Sequence, residues 1–529
     1  MTLRDSWRKG VSRVAESLGV FRKNVFDLEG VPAFRQYYDL FVFPWKFVYK
    51  GYYEAWHDVA IRTIKDHSGA KKRRMATMNA GQMVSRTLAR YIWGEKCEIT
   101  VNQKDYQSDE PDPLNEYLQH VLRANSFDRA FGEYVEKALA LGGAAIKEWA
   151  YVPKDKNGKD IGEAEVRLSF HMADQFIPTA WDNHKIKDAL FISREAKDGY
   201  YYSIVEWHKW NGETYRVTND LYRLPVEDAT EPQNILGWWY PLNLIYPLLS
   251  PSTDFERLEH SMFQYIRPFG ANSADDNSPL GMSVYNGAMD TLRSLDVCYD
   301  SFCREFVLGK KRIIVPSSAI RHLVDRNGQM HRWFDASDEV YQTLDVDEPD
   351  QLKIHDNSIE LRVEEHVSAI NTYLSILCAQ VGFDPGILSF SASQGLKTAT
   401  EVISQNSKTY STVQNHQNNL RDALEGMVDA ILELSVWYDI KWNGERIADL
   451  VKNGYSKAIK FDDSIIQDRQ ANIDEGIKLM GASALSKRKF MIETLGYTPE
   501  EADAEIKQIA EESRITAGIV DVMEITSPL

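Results

Sequence analysis

The sequence predicts an α+β chain in which helix predominates, and three observations carry that reading. Between residues 99 and 224, short alternating apolar runs are separated by turn signals, as antiparallel strands require. Beyond them, two narrow apolar stripes recur at helical spacing over 285–306 and 363–381. A third helical pattern runs from about residue 398 to 437. The 529 residues include 78 acidic and 61 Lys or Arg side chains, a formal net charge of −17. That length suggests about three or four domains. The aromatic share of 11% supplies enough core material to exclude disorder over most of the chain. The acidic excess disfavours non-specific DNA binding through overall charge. Cys97, Cys298, Cys303 and Cys378 form no CxxC motif, which argues against a disulfide scaffold and fits a reducing compartment.

Residues 1–60 read as a helical and aromatic arm. Its start, Met1-Thr2-Leu3-Arg4-Asp5-Ser6-Trp7, lacks the apolar core of a signal peptide, so no targeting segment is expected. Tyr37, Tyr38, Phe41, Phe43, Trp45, Phe47 and Tyr49 form an aromatic run broken by Asp39, Pro44, Lys46 and Lys50. This is far short of the ~20 apolar residues of a bilayer span. The run is expected to pack on the rest of the fold or on a neighbouring subunit, and the chain to be soluble, with no membrane partner. The basic run Arg62, Lys65, Lys71, Lys72, Arg73, Arg74 reads as a solvated face more readily than as a phosphate contact. A helical pattern follows over 75–93, and another over 130–141 stops at Gly142-Gly143. Strands are predicted at 144–151, 164–170, 189–194, 200–207 and 214–218, with Asn211-Gly212 as a turn. Residues 225–279, rich in Pro, Asn, Asp and Ser, read as loop.

Tyr285, Ala288, Leu292, Leu295, Tyr299, Phe302 and Phe306 recur alternately three and four residues apart. They define one face of a helix, with Asp290, Arg293, Asp296, Asp300 and Arg304 elsewhere around it. Ser278-Pro279 offers a start signal and Gly309 a left-handed C-terminal position. Lys310, Lys311 and Arg312 fall where the helix dipole favours cations. The second stripe, Val363, Val367, Ile370, Leu374, Leu377 and Val381, ends at Gly382 with Pro385 beyond. Between the stripes lies an insertion that opens with a strand-like 312–316 and closes with 351–355. An antiparallel helical hairpin carrying a small β-containing tip is the economical geometry. A Gly/Ser-rich loop follows the second helix. It leads into Thr398-Ala399-Thr400-Glu401, an S/T-x-x-E capping box that opens the long third helix. Further on, Ser486 opens one short helix and Thr498-Pro499-Glu500-Glu501 another.

Catalytic chemistry has no pattern here. Gly395-Leu396-Lys397-Thr398 lacks the adjacent Gly-Lys and the upstream Gly of a phosphate loop. The histidines form no H-x-x-x-H pair, and Asp345-Val346-Asp347-Glu348-Pro349-Asp350 lacks the Gly and terminal Glu of a calcium loop. No Gly-x-Ser-x-Gly elbow occurs. The chain is expected to be no enzyme and to hold no metal or cofactor.

Three passages together resemble the portal proteins of tailed bacteriophages, in the branch typical of siphophages infecting Gram-positive hosts. They are Asn272-Ser273-Ala274-Asp275-Asp276-Asn277-Ser278-Pro279-Leu280-Gly281, Leu308-Gly309-Lys310-Lys311-Arg312-Ile313, and Gly382-Phe383-Asp384-Pro385-Gly386 continuing to Thr398-Ala399-Thr400-Glu401-Val402. Ile465-Ile466-Gln467-Asp468 and Leu485-Ser486-Lys487 are similar to the same branch. The likeness is clearest over about 265–515. It implies a portal-type subunit with a wing at 61–279 and 398–465, stem helices at 280–309 and 360–382, and a clip at 310–359. A tunnel loop at 383–397 and a crown at 466–529 complete it.

The resemblance further implies a ring, usually dodecameric, at one capsid vertex, through which double-stranded DNA is packaged and ejected. Implied partners are further copies of the chain, the terminase, head-completion or adaptor proteins of the neck, and the major capsid and scaffolding proteins. The ring would be assembled in the host cytoplasm and carried in the virion. Carried onto this sequence, Leu292, Leu295, Tyr299, Phe302, Ile370 and Leu374 would pack the stem into a ring. Ser389, Phe390, Ser391, Ala392, Ser393, Gln394 and Lys397 would face the DNA. Arg321, His322, Arg332, Trp333, Asp347 and Glu348 would dock partners at the clip. The acidic balance fits a channel that repels phosphates and lets a duplex slide. Two rivals remain: a packaging ATPase or nuclease, and a capsid or neck structural protein without a DNA channel.

Overall fold

The computed structural model describes residues 23–61, 71–94, 97–104, 106, 110–153, 159–228, 235–309, 312–316, 322–324, 330–332, 341–344, 355–357, 360–389, 399–461, 469–482, 484–495, 497 and 502–509. Helix and strand are mixed, as an α+β fold requires. The aromatic segment packs inside the chain. Strand β1 (Lys23–Asn24) leads to helix α1 (Phe43–Tyr49), and Tyr38 and Trp45 are each 1% exposed. Their polar tips are matched, as buried aromatic hydroxyls require. The Tyr38 hydroxyl donates to the Phe176 carbonyl at 2.6 Å, and that of Tyr37 to the Gly281 carbonyl at 2.9 Å. The Tyr285 hydroxyl donates to the Trp45 carbonyl at 3.0 Å.

Strands β2 (Asp58–Ile61) and β3 (Lys71–Arg74) pair antiparallel, so part of the basic run is a ladder strand. Helix α2 spans Ala80–Ile92, and β4 (Glu98–Gln103) follows. Helix α3 (Pro113–Ala124) starts on Asp112, whose carboxylate accepts from the Leu114 amide at 2.9 Å, with Pro at the first position. Helix α4 (Phe127–Leu141) ends on Gly142 at φ +82°. A Cβ at Gly142 would lie 2.6 Å from the Gly281 carbonyl oxygen, so this close backbone approach also demands glycine.

Strand β5 (Ala144–Tyr151) occupies the predicted residues and pairs with β6 (Glu165–Met172). The larger sheet contains β7 (Phe176–Asp182), β8 (Lys185–Lys197), β9 (Tyr200–Asn211) and β10 (Thr214–Pro225), an antiparallel meander. Strands β9 and β10 are in register from Asn211↔Thr214 to Tyr200↔Pro225, closed by Gly212 at φ +66°. The loop expected over 225–279 is corrected here. Strands β11 (Ile235–Tyr240) and β12 (Ser252–Glu256) both pair β10, and β13 (Phe263–Ile266) pairs β5. Their Pro- and Asn-rich flanks hide short strands that gain their ladders from distant partners.

Helix α5 spans Met289–Leu308, starting well after Ser278-Pro279. The Ser278 hydroxyl instead accepts from the Leu280 amide at 3.2 Å. Gly309 has φ −78°, so the expected left-handed position is absent. Its Cβ would lie 2.5 Å from Leu361 Cδ2, and close packing explains the glycine. The insertion holds β14 (Arg312–Pro316), β15 (His322–Val324), β16 (Met330–Arg332), β17 (Tyr341–Leu344) and β18 (His355–Asn357). Strand β14 pairs β17 parallel and β18 antiparallel, while β15 pairs β16.

Helix α6 (Val363–Val381) ends at Gly382, φ +84°, as predicted. Helix α7 (Ala399–Trp437) runs through the core beside β13 and β5. A small hairpin of β19 (Lys441–Trp442) and β20 (Glu445–Arg446) precedes β21 (Tyr455–Lys460), which pairs β4. Helix α8 (Arg469–Gly481) follows, and Ser486 caps the helix Lys487–Phe490 by accepting from the Lys489 amide at 3.2 Å. The capping boxes at Thr398 and Thr498 lie outside the described residues. Among the described residues no helix is long and apolar enough to cross a membrane.

Candidate functional site: the helical hairpin and the root of its loop

Helices α5 and α6 pack against each other as an antiparallel pair. Leu292, Leu295, Ile370 and Leu374 are at most 3% exposed within the single chain, and Tyr299 and Phe302 are partly buried against the same core. The stripes therefore close the hairpin on its own chain. Apolar side chains left uncovered on the pair are Val297, Phe306, Val307, Leu308, Val363 and Ile376.

At the tip end, Glu305 takes two hydrogen bonds from Arg362, at 3.1 and 2.9 Å. The Phe302 and His366 rings lie 5.7 Å apart. The Glu305 carboxyl is held below its ordinary range, chiefly by the Arg362 hydrogen bonds.

Midway along α5, two carboxylates one turn apart are buried against His57 and residues 73–78. Asp296 accepts from the Met78 amide (2.8 Å), the Thr77 hydroxyl (3.0 Å) and His57 Nε2 (3.1 Å). On the other side of the ring, His57 Nδ1 lies 2.8 Å from the Tyr53 amide nitrogen and 3.1 Å from the Tyr53 carbonyl oxygen. Asp300 takes two hydrogen bonds from Arg73, at 2.7 and 2.8 Å, and one from the Ala76 amide at 2.9 Å. The Arg73 contact comes first in holding the Asp300 carboxyl below its usual value. Arg73, read from sequence as solvated, is thus committed inside the chain.

The loop after α6 is clamped at its root. The Asp384 carboxylate accepts from the amide and the hydroxyl of Thr409, each at 2.9 Å. The same hydroxyl accepts from the Asp384 amide at 2.8 Å. Thr412 donates to the Gly382 carbonyl at 2.8 Å, and Lys408 to the Ala379 carbonyl at 2.9 Å. Phe383 is fully buried. No local motif announces this clamp, because its partners lie 25 residues apart.

Ser389 is exposed just beyond the clamp. Phe390, Ser391, Ala392, Ser393, Gln394 and Lys397 lie outside the described residues, as do Arg321, Trp333, Asp347 and Glu348. His322 and Arg332 stand opposite each other in the β15–β16 ladder. From Val367 to Phe383 the chain carries no Asp, Glu, Lys or Arg, so α6 is uncharged beyond its first turn, where Glu364 and Glu365 lie. Among the described residues no group of His, Cys, Asp or Glu could hold a metal ion. The described residues offer a helical hairpin, a β-containing tip and a stapled loop root, and among them no acid–base or nucleophilic set is assembled.

A family model described as phage portal protein, SPP1 Gp6-like, matches residues 47–518, which is most of the chain. No curated protein matches it.

Proposed function

We propose that this chain, which belongs to the SPP1 Gp6-like phage portal protein family, is the subunit of a ring, usually dodecameric in such proteins, that passes double-stranded DNA through a capsid vertex. The observation that carries the reading is the family match over 47–518, because it spans the hairpin, the inserted strands, the loop and α7. Members of a portal family are structural connectors, and the absence of a phosphate-loop sequence agrees with a role that leaves ATP turnover to a partner.

The physical chemistry supports the same role. A duplex that must move cannot be held by many fixed cations, since each phosphate neutralised adds salt-dependent grip. The chain carries a net −17, and α6 has no charged side chain from Val367 to its end at the loop. Ser389, Ser391, Ser393 and Gln394 would offer the duplex weak polar contacts, with Lys397 as the one phosphate partner. The clamp at Asp384 and Thr409 would fix the point from which the loop starts. Terminase and neck proteins would dock on the tip strands, around Arg321, His322, Arg332, Trp333, Asp347 and Glu348.

Packaging tests this reading. Acidic replacements at Ser391 and Ser393 should leave rings and heads assembled but lower DNA filling or retention. Heads that fill and keep full-length DNA despite both replacements would remove the loop from the DNA path.

A further inference from the structure

With Leu292, Leu295, Ile370 and Leu374 already covered by their own chain, a contact between neighbouring copies must use other faces of the hairpin. Two such faces exist, on opposite edges. On α5, Arg293, Val297, Ser301, Arg304 and Leu308 are all exposed. Their spacing of three and four residues makes them one ridge, and at about 100° per residue it points away from the side that meets α6. On α6, Glu364, Val367, Ser368, Asn371, Thr372 and Ser375 line an open groove. The same rotation places that groove on the side of α6 turned away from α5. Ser368, Thr372 and Ser375 are among its short lining side chains, whereas the ridge carries the longer Arg293, Arg304 and Leu308.

The two faces also stand at the same height. Glu305 bonds Arg362, and Phe302 meets His366, which fixes the level of the antiparallel helices. Counting along from those contacts sets Arg304 level with about Glu364, Ser301 with about Val367, and Val297 with about Asn371. Among the described residues neither Arg304 nor Glu364 forms an ion pair within the chain. Their charges are opposite.

We infer that the occupant of the α6 groove is the α5 ridge of a second copy of this chain, with Arg304 of one copy facing Glu364 of the next. Ridge and groove lie on opposite edges of one hairpin, so the contact is head-to-tail, and repetition closes a ring or extends a filament. Ridge-into-groove packing of this kind is the ordinary way two helices interlock. The inference rests on the ring proposed above and names the seam that builds it.

A charge exchange tests it. Arg304→Glu and Glu364→Arg would each set like charges opposite each other at every seam, while Arg304→Glu/Glu364→Arg would restore attraction. Sedimentation of the purified full chain should show rings for the wild type, monomers or small oligomers for each single variant, and rings again for the double variant. Both variants lie on exposed positions, and unchanged circular dichroism and melting would show the subunit intact. Rings persisting in either single variant, or a double variant no better assembled than the singles, would overturn the seam and leave the ring itself standing. A wild type without rings would overturn both.

Discussion

Asp300 lies off the apolar stripe of α5, yet it is 6% exposed. Its partner Arg73 sits 227 positions upstream, and the partner of Asp296, His57, sits 239 upstream. No local periodicity can report such pairings, which is why both aspartates were illegible as anchors. Removing one partner should leave the other's buried donors unmatched, so Asp300→Asn should cost about 1–3 kcal/mol. The pH dependence follows from the depressed carboxyl. Its stabilisation is present above the ordinary carboxylate range and is lost as pH falls through the lower folded value. Thermal melting of wild type and variant should therefore differ at neutral pH and converge in acid; a gap independent of pH would contradict the assignment. Glu148 behaves oppositely. Fully buried, with both carboxyl oxygens lacking a hydrogen-bond partner among the described residues, it has its pKa pushed up by burial. Stability should fall as pH rises toward that raised value, and Glu148→Gln should gain on the wild type as the buffer becomes more alkaline.

The elements divide by whether their signal is local. Helix α6 and its Gly382 stop, β5, the β9–β10 hairpin and the far end of α7 were legible from periodicity and turn residues. The start of α5 was not, because Ser278-Pro279 begins an irregular turn rather than a helix. Strands β11 to β13 were hidden by polar, Pro-rich flanks and take their pairing from distant β10 and β5. The apolar stripe of α5 was legible as a stripe, but what covers it was not. Leu295→Ala should cost about 2–5 kcal/mol of subunit stability, as a buried leucine does, measured by denaturant unfolding. At the loop root, Gly382→Ala would force a side chain into a left-handed backbone, with its Cβ 2.5 Å from Thr412 Oγ1. A loss exceeding about 1 kcal/mol is expected. At the tip, replacing 318–350 by a short Gly/Ser turn removes β15 to β17 but keeps the β14–β18 ladder. The helices should stay folded while terminase binding disappears; unchanged co-purification would place docking elsewhere.

For the whole molecule, the family was legible from three short passages, and the match over 47–518 agrees with them. Quaternary structure was less so, since a stripe alone does not tell an intramolecular seam from one between copies. The hairpin, its tip and its clamped loop make sense together if the chain is one wall segment of a channel. Electron microscopy of the purified wild-type chain should show closed rings with a central hole wide enough for a B-form duplex. Monomers, or closed particles without a hole, would contradict it.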